Sequence, residues 1–212
     1  GEVHVIVALR RYMLRIGLVM LQGARHAHIQ ALNSAANELN TQLEIIELRK
    51  DTDLVKADPH AIILPGGEST TMRLTGNANN SKLLPKLFEL IRKKTDLPVM
   101  GTCAGAILLS DPQDDGDKMI DAIVDRNAYG GQSESFQSLV EANLISRDFL
   151  GIFIRAPRFS SLGNKSTAIV SHGEEIVGAR TNNRIALTFH PELSNDNGFH
   201  KWLISKALEV KS

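Results

Sequence analysis

The sequence has a single cysteine, Cys103, so no disulfide can close within the chain, and a reducing, cytoplasmic setting is the expectation. It has no excess of either charge. Lys plus Arg and Asp plus Glu number 24 each, which argues against nucleic acid or an anionic membrane surface as the main partner. No apolar run approaches the roughly 20 residues of a membrane helix. Internal repeats are absent, and the one markedly polar stretch is "SDPQDDGDK", Ser110–Lys118, which reads as a surface loop. What is present is ordinary globular composition, 42% apolar and 23% charged over 212 residues: enough for one domain with a substantial core and short for two. Residues 1–12 read as an upstream extension, because "MLRIGLVMLQG" from Met13 has the form of a first strand. The apolar "VHVIVAL" within the extension is too short for a secretory signal and lacks a basic leader. The expected organisation is thus an extension followed by a single domain over 13–212.

Short β-branched runs alternate with longer amphipathic ones. Strands are predicted at Arg15–Leu21, Leu43–Leu48, Ala61–Leu64 and Leu97–Met100, with helices at Ala27–Leu39 and Leu83–Lys94. Such alternation predicts an α/β fold whose mostly parallel sheet is covered on both faces. From about Ile120 the spacing shortens. Candidate strands at Ile120–Val124, Ser138–Ala142, Gly151–Ile154, Ala168–Ser171, Ile176–Ala179 and Arg184–Phe189 predict extra antiparallel strands or a small side sheet, closed by a helix over Phe199–Val210.

The cysteine stands in "GTCAG", directly after the strand "LPVM". Glycine, any residue, nucleophile, any residue, glycine at a strand-to-helix junction is the pattern of a nucleophile elbow. The glycines remove the clashes that side chains would make in so sharp a turn, and the helix start favours a thiolate. A lone cysteine is otherwise commonly a small buried hydrophobe. By itself the turn leaves hydrolases, amidotransferases and oxidation sensors open.

A thiol nucleophile needs a base, and the base needs an orienting group. Of seven histidines, His4 falls in the extension, while His26, His28, His60, His172 and His200 sit in polar or helical surroundings and read as solvated or capping residues. His190 differs. It follows the strand "RIALTF" and opens "HPEL", where proline stiffens the turn so that Glu192 can reach back to the imidazole and fix its tautomer. The segment "LPGGESTTM" (Leu64–Met72) offers glycine amides at a strand end for an oxyanion, and Glu68 and Ser69 for a polar ligand. It reads equally as a helix entry capped by Ser69 or Thr70.

Together these segments resemble the triad-type (class I) glutamine amidotransferases and, more narrowly, the glutaminase subunits of two-component pyridoxal 5′-phosphate synthases. The resemblance runs from Met13 through "IGLVMLQGA", "LPGGESTTMR", "GTCAG", "RNAYGGQ", "FIRAP" and "FHPEL". It implies a three-layer, flavodoxin-like α/β fold with added antiparallel strands in the C-terminal half. It implies that Cys103 attacks the glutamine carboxamide and that His190, oriented by Glu192, serves as base and then acid. Gly67, Glu68, Ser69, Arg126, Ile154 and Arg155 would bind glutamine, backbone N–H groups near Gly67 and Ala104 would form the oxyanion hole, and Gln22 would lie near the partner. It also implies no cofactor: pyridoxal phosphate would be made on a partner (β/α)₈-barrel synthase that receives the ammonia. Gly131 and Ala106 depart from the pattern, each standing where relatives carry a larger residue. Competing readings are an amidotransferase serving a different synthase, a cysteine peptidase or chaperone-like protein of similar fold, and a structural subunit. The "GGEST" and "FIRAP" segments weigh against the first. Ala104, where a histidine would follow the cysteine, weighs against the second, and the intact triad weighs against the third.

Overall fold

The computed structural model of the chain describes residues 2–5, 13–21, 25–125 and 135–211. Gln22, Arg126 and Gly131 fall outside the described residues. The chain first builds a β/α half: β1 (Leu14–Val19), α1 (Arg25–Glu38), β2 (Leu43–Leu48), α2 (Asp51–Ala57), β3 (Ala61–Leu64), α3 (Ser69–Gly76), α4 (Leu83–Lys93), β4 (Val99–Thr102) and α5 (Ala104–Ser110). Strands follow in close succession: β5 (Ala122–Asp125), β6 (Ser135–Ala142), β7 (Arg147–Ile154), β8 (Arg158–Leu162), β9 (Thr167–His172), β10 (Glu175–Thr181) and β11 (Arg184–Leu187), before a closing helix α6 (Gly198–Lys211).

Among the described residues the main sheet has nine strands in the order β2-β1-β3-β4-β11-β10-β9-β6-β7, and β5 pairs with β8 in a separate two-stranded sheet. The strands from β2 to β11 are mutually parallel, and those from β11 to β7 pair antiparallel. Both faces of the inner parallel strands are covered, as the unbroken apolar run of β3 requires. Alternate residues feed two separate cores. Leu14, Ile16, Leu18, Ile63, Met100 and Ile185 pack with α1 and α6 on one face. Val19, Ile62, Leu64, Val99 and Ala186 pack with α2, α4 and α5 on the other. The period of two along each strand thus makes three layers.

The antiparallel half does more than widen the sheet. Although β7 is the last strand in order, it curls back so that the Ile152 carbonyl accepts from the His190 N–H at 2.8 Å. Four phenylalanines seal the curl: Phe149 meets Phe199 edge-on at 4.8 Å between ring centroids, and Phe189 lies 5.5 Å from Phe153.

The structure departs from expectation in several elements. β4 runs from Val99 to Thr102 rather than Leu97–Met100, because pairing with both β3 and β11 carries the strand through Gly101. Helix α2 had no sequence prediction; its entry is stabilised by Asp53, whose carboxylate accepts from the Arg49 and Lys50 N–H groups at 2.9 and 3.1 Å. Strand β8, "RFSSL", carries too little apolar alternation to be read from sequence and forms through pairing with β5.

Candidate active site

Three strands that are neighbours and parallel, β3, β4 and β11, end on the same side of the sheet. Their C-terminal extensions are the Gly66-Gly67 loop, Cys103 and His190. Open α/β sheets bind ligands at these ends.

Cys103 has φ 51° and ψ −110°, a conformation outside the regions non-glycine residues favour. It is held there from several sides. Its N–H donates to the Leu187 carbonyl at 2.8 Å, and its own carbonyl accepts from Ala106 at 3.0 Å as α5 begins. Gly105 is obligatory, since a Cβ there would sit 1.9 Å from the Leu64 oxygen. The thiol is 3.8 Å from the Ile154 carbonyl oxygen at the end of β7.

His190 Nδ1 lies 2.6 Å from Glu192 Oε1 across Pro191, which opens a 3₁₀ turn. Burial opposes the imidazolium. Hydrogen bonding to Cys103 and Glu192 outweighs that and pushes His190 up to about 10. The Glu192 side chain is 1% exposed. Burial presses its pKa upward, but the bond to His190 and the nearby His28 and His190 hold it below the usual carboxylate value. The two partners shift in opposite directions, as an imidazolium–carboxylate pair does.

Two histidines read from sequence as solvated or capping residues are instead buried. His28 and His200 have no exposed surface. His28 reaches from α1 to place Nε2 3.5 Å from Glu192 Oε2, and its Nδ1 is 3.0 Å from His200 Nε2 on α6. The pairs lie 164 and 172 positions apart in the chain (192 − 28 and 200 − 28), so no sequence spacing could reveal them.

On the opposite side of the thiol, a Cβ on Gly66 would come within 2.8 Å of His190 Cε1 and 3.1 Å of Cys103 Cβ, so the glycine loop abuts both groups. Gly67 follows on the exposed rim. The N-cap of α3 is Glu68, not Ser69 or Thr70: its carboxylate accepts from the Thr70 and Thr71 N–H groups at 3.2 and 2.7 Å. Those bonds, led by that from Thr71, hold its pKa low. Ser69 is buried in the first turn. Ala104 is the first residue of α5, where helix N–H groups have no intrahelical acceptor. Ile154 and Arg155 are exposed beside the thiol, Arg155 with φ 45°. Ala106 is fully buried in α5. Among the described residues, no group of three or more His, Cys, Asp or Glu side chains could hold a metal ion.

A parallel sheet carrying a cysteine elbow after one strand and a His-Pro-Glu turn after its neighbour defines an α/β protein of the class I glutamine amidotransferase type. The chain belongs to the SNO glutamine amidotransferase family, which matches residues 18–209. It is 42% identical over 207 residues to the pyridoxal 5′-phosphate synthase subunit PdxT of Thermococcus onnurineus, covering 92% of this chain and 100% of that one. The PdxT subunit of Halalkalibacterium halodurans is 34% identical over 94% of this chain and 98% of its own. A crystal structure of a glutamine amidotransferase superposes with a TM-score of 0.73 at 31% identity, over 91% of this chain and 98% of that one. PurLQS from Thermotoga maritima, at 18% identity and a TM-score of 0.63, shares the fold.

Proposed function

We propose that this chain hydrolyses L-glutamine to L-glutamate and ammonia and delivers the ammonia to a partner synthase subunit for pyridoxal 5′-phosphate synthesis. The observation that carries the chemistry is the meeting of Cys103 with the His190–Glu192 pair, closed at 2.6 Å, beyond neighbouring strand ends. The Cys103 thiolate adds to the side-chain carboxamide carbon, and the carbonyl electron pair moves onto oxygen. N–H groups near Gly67 and Ala104 face that oxyanion. As the tetrahedral species collapses, His190 gives its proton to the departing nitrogen and ammonia leaves, with a γ-glutamyl thioester on Cys103. His190 then takes a proton from water, the hydroxide adds to the thioester carbon, and the thiolate is expelled as glutamate forms. Glu192 keeps the imidazole oriented throughout.

Gly67, Glu68 and Ser69 contact the glutamine, Arg126, Ile154 and Arg155 grip its polar end, and Gln22 adjoins the partner. The bound use of Glu68 is compatible with its capping role, since capping occupies the carboxylate from the helix side. The acceptor chemistry resides on a (β/α)₈-barrel subunit, the catalytic domain spans 13–212 with 1–12 upstream, and the setting is cytoplasmic. No helix among the described residues is long and apolar enough to cross a membrane.

The test is glutamate release from glutamine with and without the barrel synthase subunit from the same source. Strong stimulation by that subunit is the expected result. Activity indifferent to it would keep the hydrolysis and redirect the search for an acceptor enzyme, and no activity in either condition would favour a structural subunit.

A further inference from the structure

Behind the His190–Glu192 pair the structure holds two more imidazoles that hydrolysis as described above does not use. His28 comes from the second turn of α1 and His200 from the first turn of α6, on the sheet face opposite α5. Both are wholly buried, and among the described residues His28 faces Glu192 while His200 faces His28. Their roles follow from proton counting. Glu192 Oε1 is taken by His190 Nδ1 at 2.6 Å, which leaves Oε2 buried without a hydrogen-bond partner among the described residues, and His28 Nε2, equally unpartnered, faces it at 3.5 Å. Facing a carboxylate oxygen, His28 Nε2 must carry hydrogen. A neutral His28 then has a bare Nδ1, which can only accept, so the contact of 3.0 Å to His200 requires the proton on His200 Nε2. His200 Nδ1 is left bare, in keeping with its burial without a donor. One arrangement of protons satisfies the row, and every N–H in it points toward Glu192.

Resting on the assignment of Cys103, His190 and Glu192 as the reacting groups, we infer that His28, set in its tautomer by His200, is a positioning residue that holds Glu192 ionised and oriented. A lone buried carboxylate would take up a proton and cease to orient the imidazole. Two neutral donors in series stabilise its charge without placing a second cation in the core. Burial lowers both His28 and His200, so they stay neutral where His190 does not. The ionisable groups around Glu192 are His190 on its own turn and His28 from α1. His28 adds His200 from α6, His190 adds Cys103 from the β4–α5 turn, and β7 contributes the Ile152 carbonyl to the His190 N–H.

The experiment compares His28→Phe, which keeps ring volume and removes the donor, with His28→Gln, which keeps a donor. Both are assayed as the full chain with the synthase subunit, next to wild type and Cys103→Ala. His28→Phe is expected to lower kcat about tenfold or more with KM within about twofold, and to move the acidic limb of the kcat/KM profile upward. His28→Gln is expected to recover most of kcat. Nitrogen NMR of the folded wild-type chain is expected to show hydrogen on Nε2 of both His28 and His200. An unmoved acidic limb, equal losses in Phe and Gln, or hydrogen on His28 Nδ1 would overturn the inference. The NMR result is independent of turnover, whereas activity retained by Cys103→Ala would instead strike the triad assignment beneath it.

Discussion

Glu192 is a carboxylate almost without solvent that stays ionised because each of its oxygens faces an imidazole nitrogen. Removing its charge while keeping its shape isolates that function. Glu192→Gln should lower kcat by two orders of magnitude or more by loosening the tautomer of His190, and a change under threefold would remove Glu192 from the mechanism. Cys103→Ala should abolish glutamate release while circular dichroism and co-purification with the synthase subunit remain as in wild type; turnover near the wild-type level would sink the nucleophile assignment. At this scale the sequence was partly legible. Cys103 is bracketed by its own glycines, and His190 and Glu192 are two positions apart, so local spacing sufficed. His28 meets Glu192, and His200 meets His28, only through packing of the two helices that share one core, and buried histidines in helices look like surface ones when only neighbours in sequence are seen. Glu68 misled in the opposite sense: a glutamate capping a helix through its own carboxylate was hidden behind the better-known caps, Ser and Thr.

Among the elements, the strand-to-helix joint from β4 to α5 carries the tightest geometry. Gly105→Ala would drive a Cβ into the Leu64 carbonyl at 1.9 Å, so β3 or α5 must move. Overpacking of this kind costs about 1–3 kcal/mol, which for a chain of this size lowers Tm by roughly 3–10 °C; scanning calorimetry checks it, and an unchanged Tm would mean that the joint is not close-packed in solution. Gly66→Ala is the companion case. Its Cβ meets the edge of the His190 ring rather than backbone, so kcat should fall about tenfold while Tm shifts little. The inner parallel strands were readable because strands such as β3 are apolar on both faces, a composition few surface segments have. β8 and α2 were not. The first is held by pairing with β5 and the second by backbone donors meeting Asp53, and neither leaves a strong periodic trace.

For the molecule as a whole, the buried imidazoles set the pH dependence of stability. His28 and His200 are depressed below 6.5, so on unfolding in acid they take up protons the folded chain excludes. Their contribution is present above 6.5 and is lost as pH falls, at up to about 1.4 kcal/mol per pH unit for each proton. Glu192 is depressed from 4.5, so its share is lost at still lower pH. His190 is raised to about 10, so its contribution is full below 6.5 and fades between 6.5 and about 10. The terms turn over near 6.5. Tm should peak there, and His200→Phe should flatten the acid side; a peak below pH 5 would contradict neutral imidazoles in the core.

β11 is synthesised after every other described strand, yet it lies in the interior, between β4 and β10. Until it leaves the ribosome, the nascent chain has two open strand edges and a sheet in two pieces, joined only by long-range contacts that form slowly. His190 and Glu192 emerge directly behind it. A thiol translated in the middle of the message therefore stays without a base until the fold is closed, and the birth of the activity coincides with the completion of the sheet.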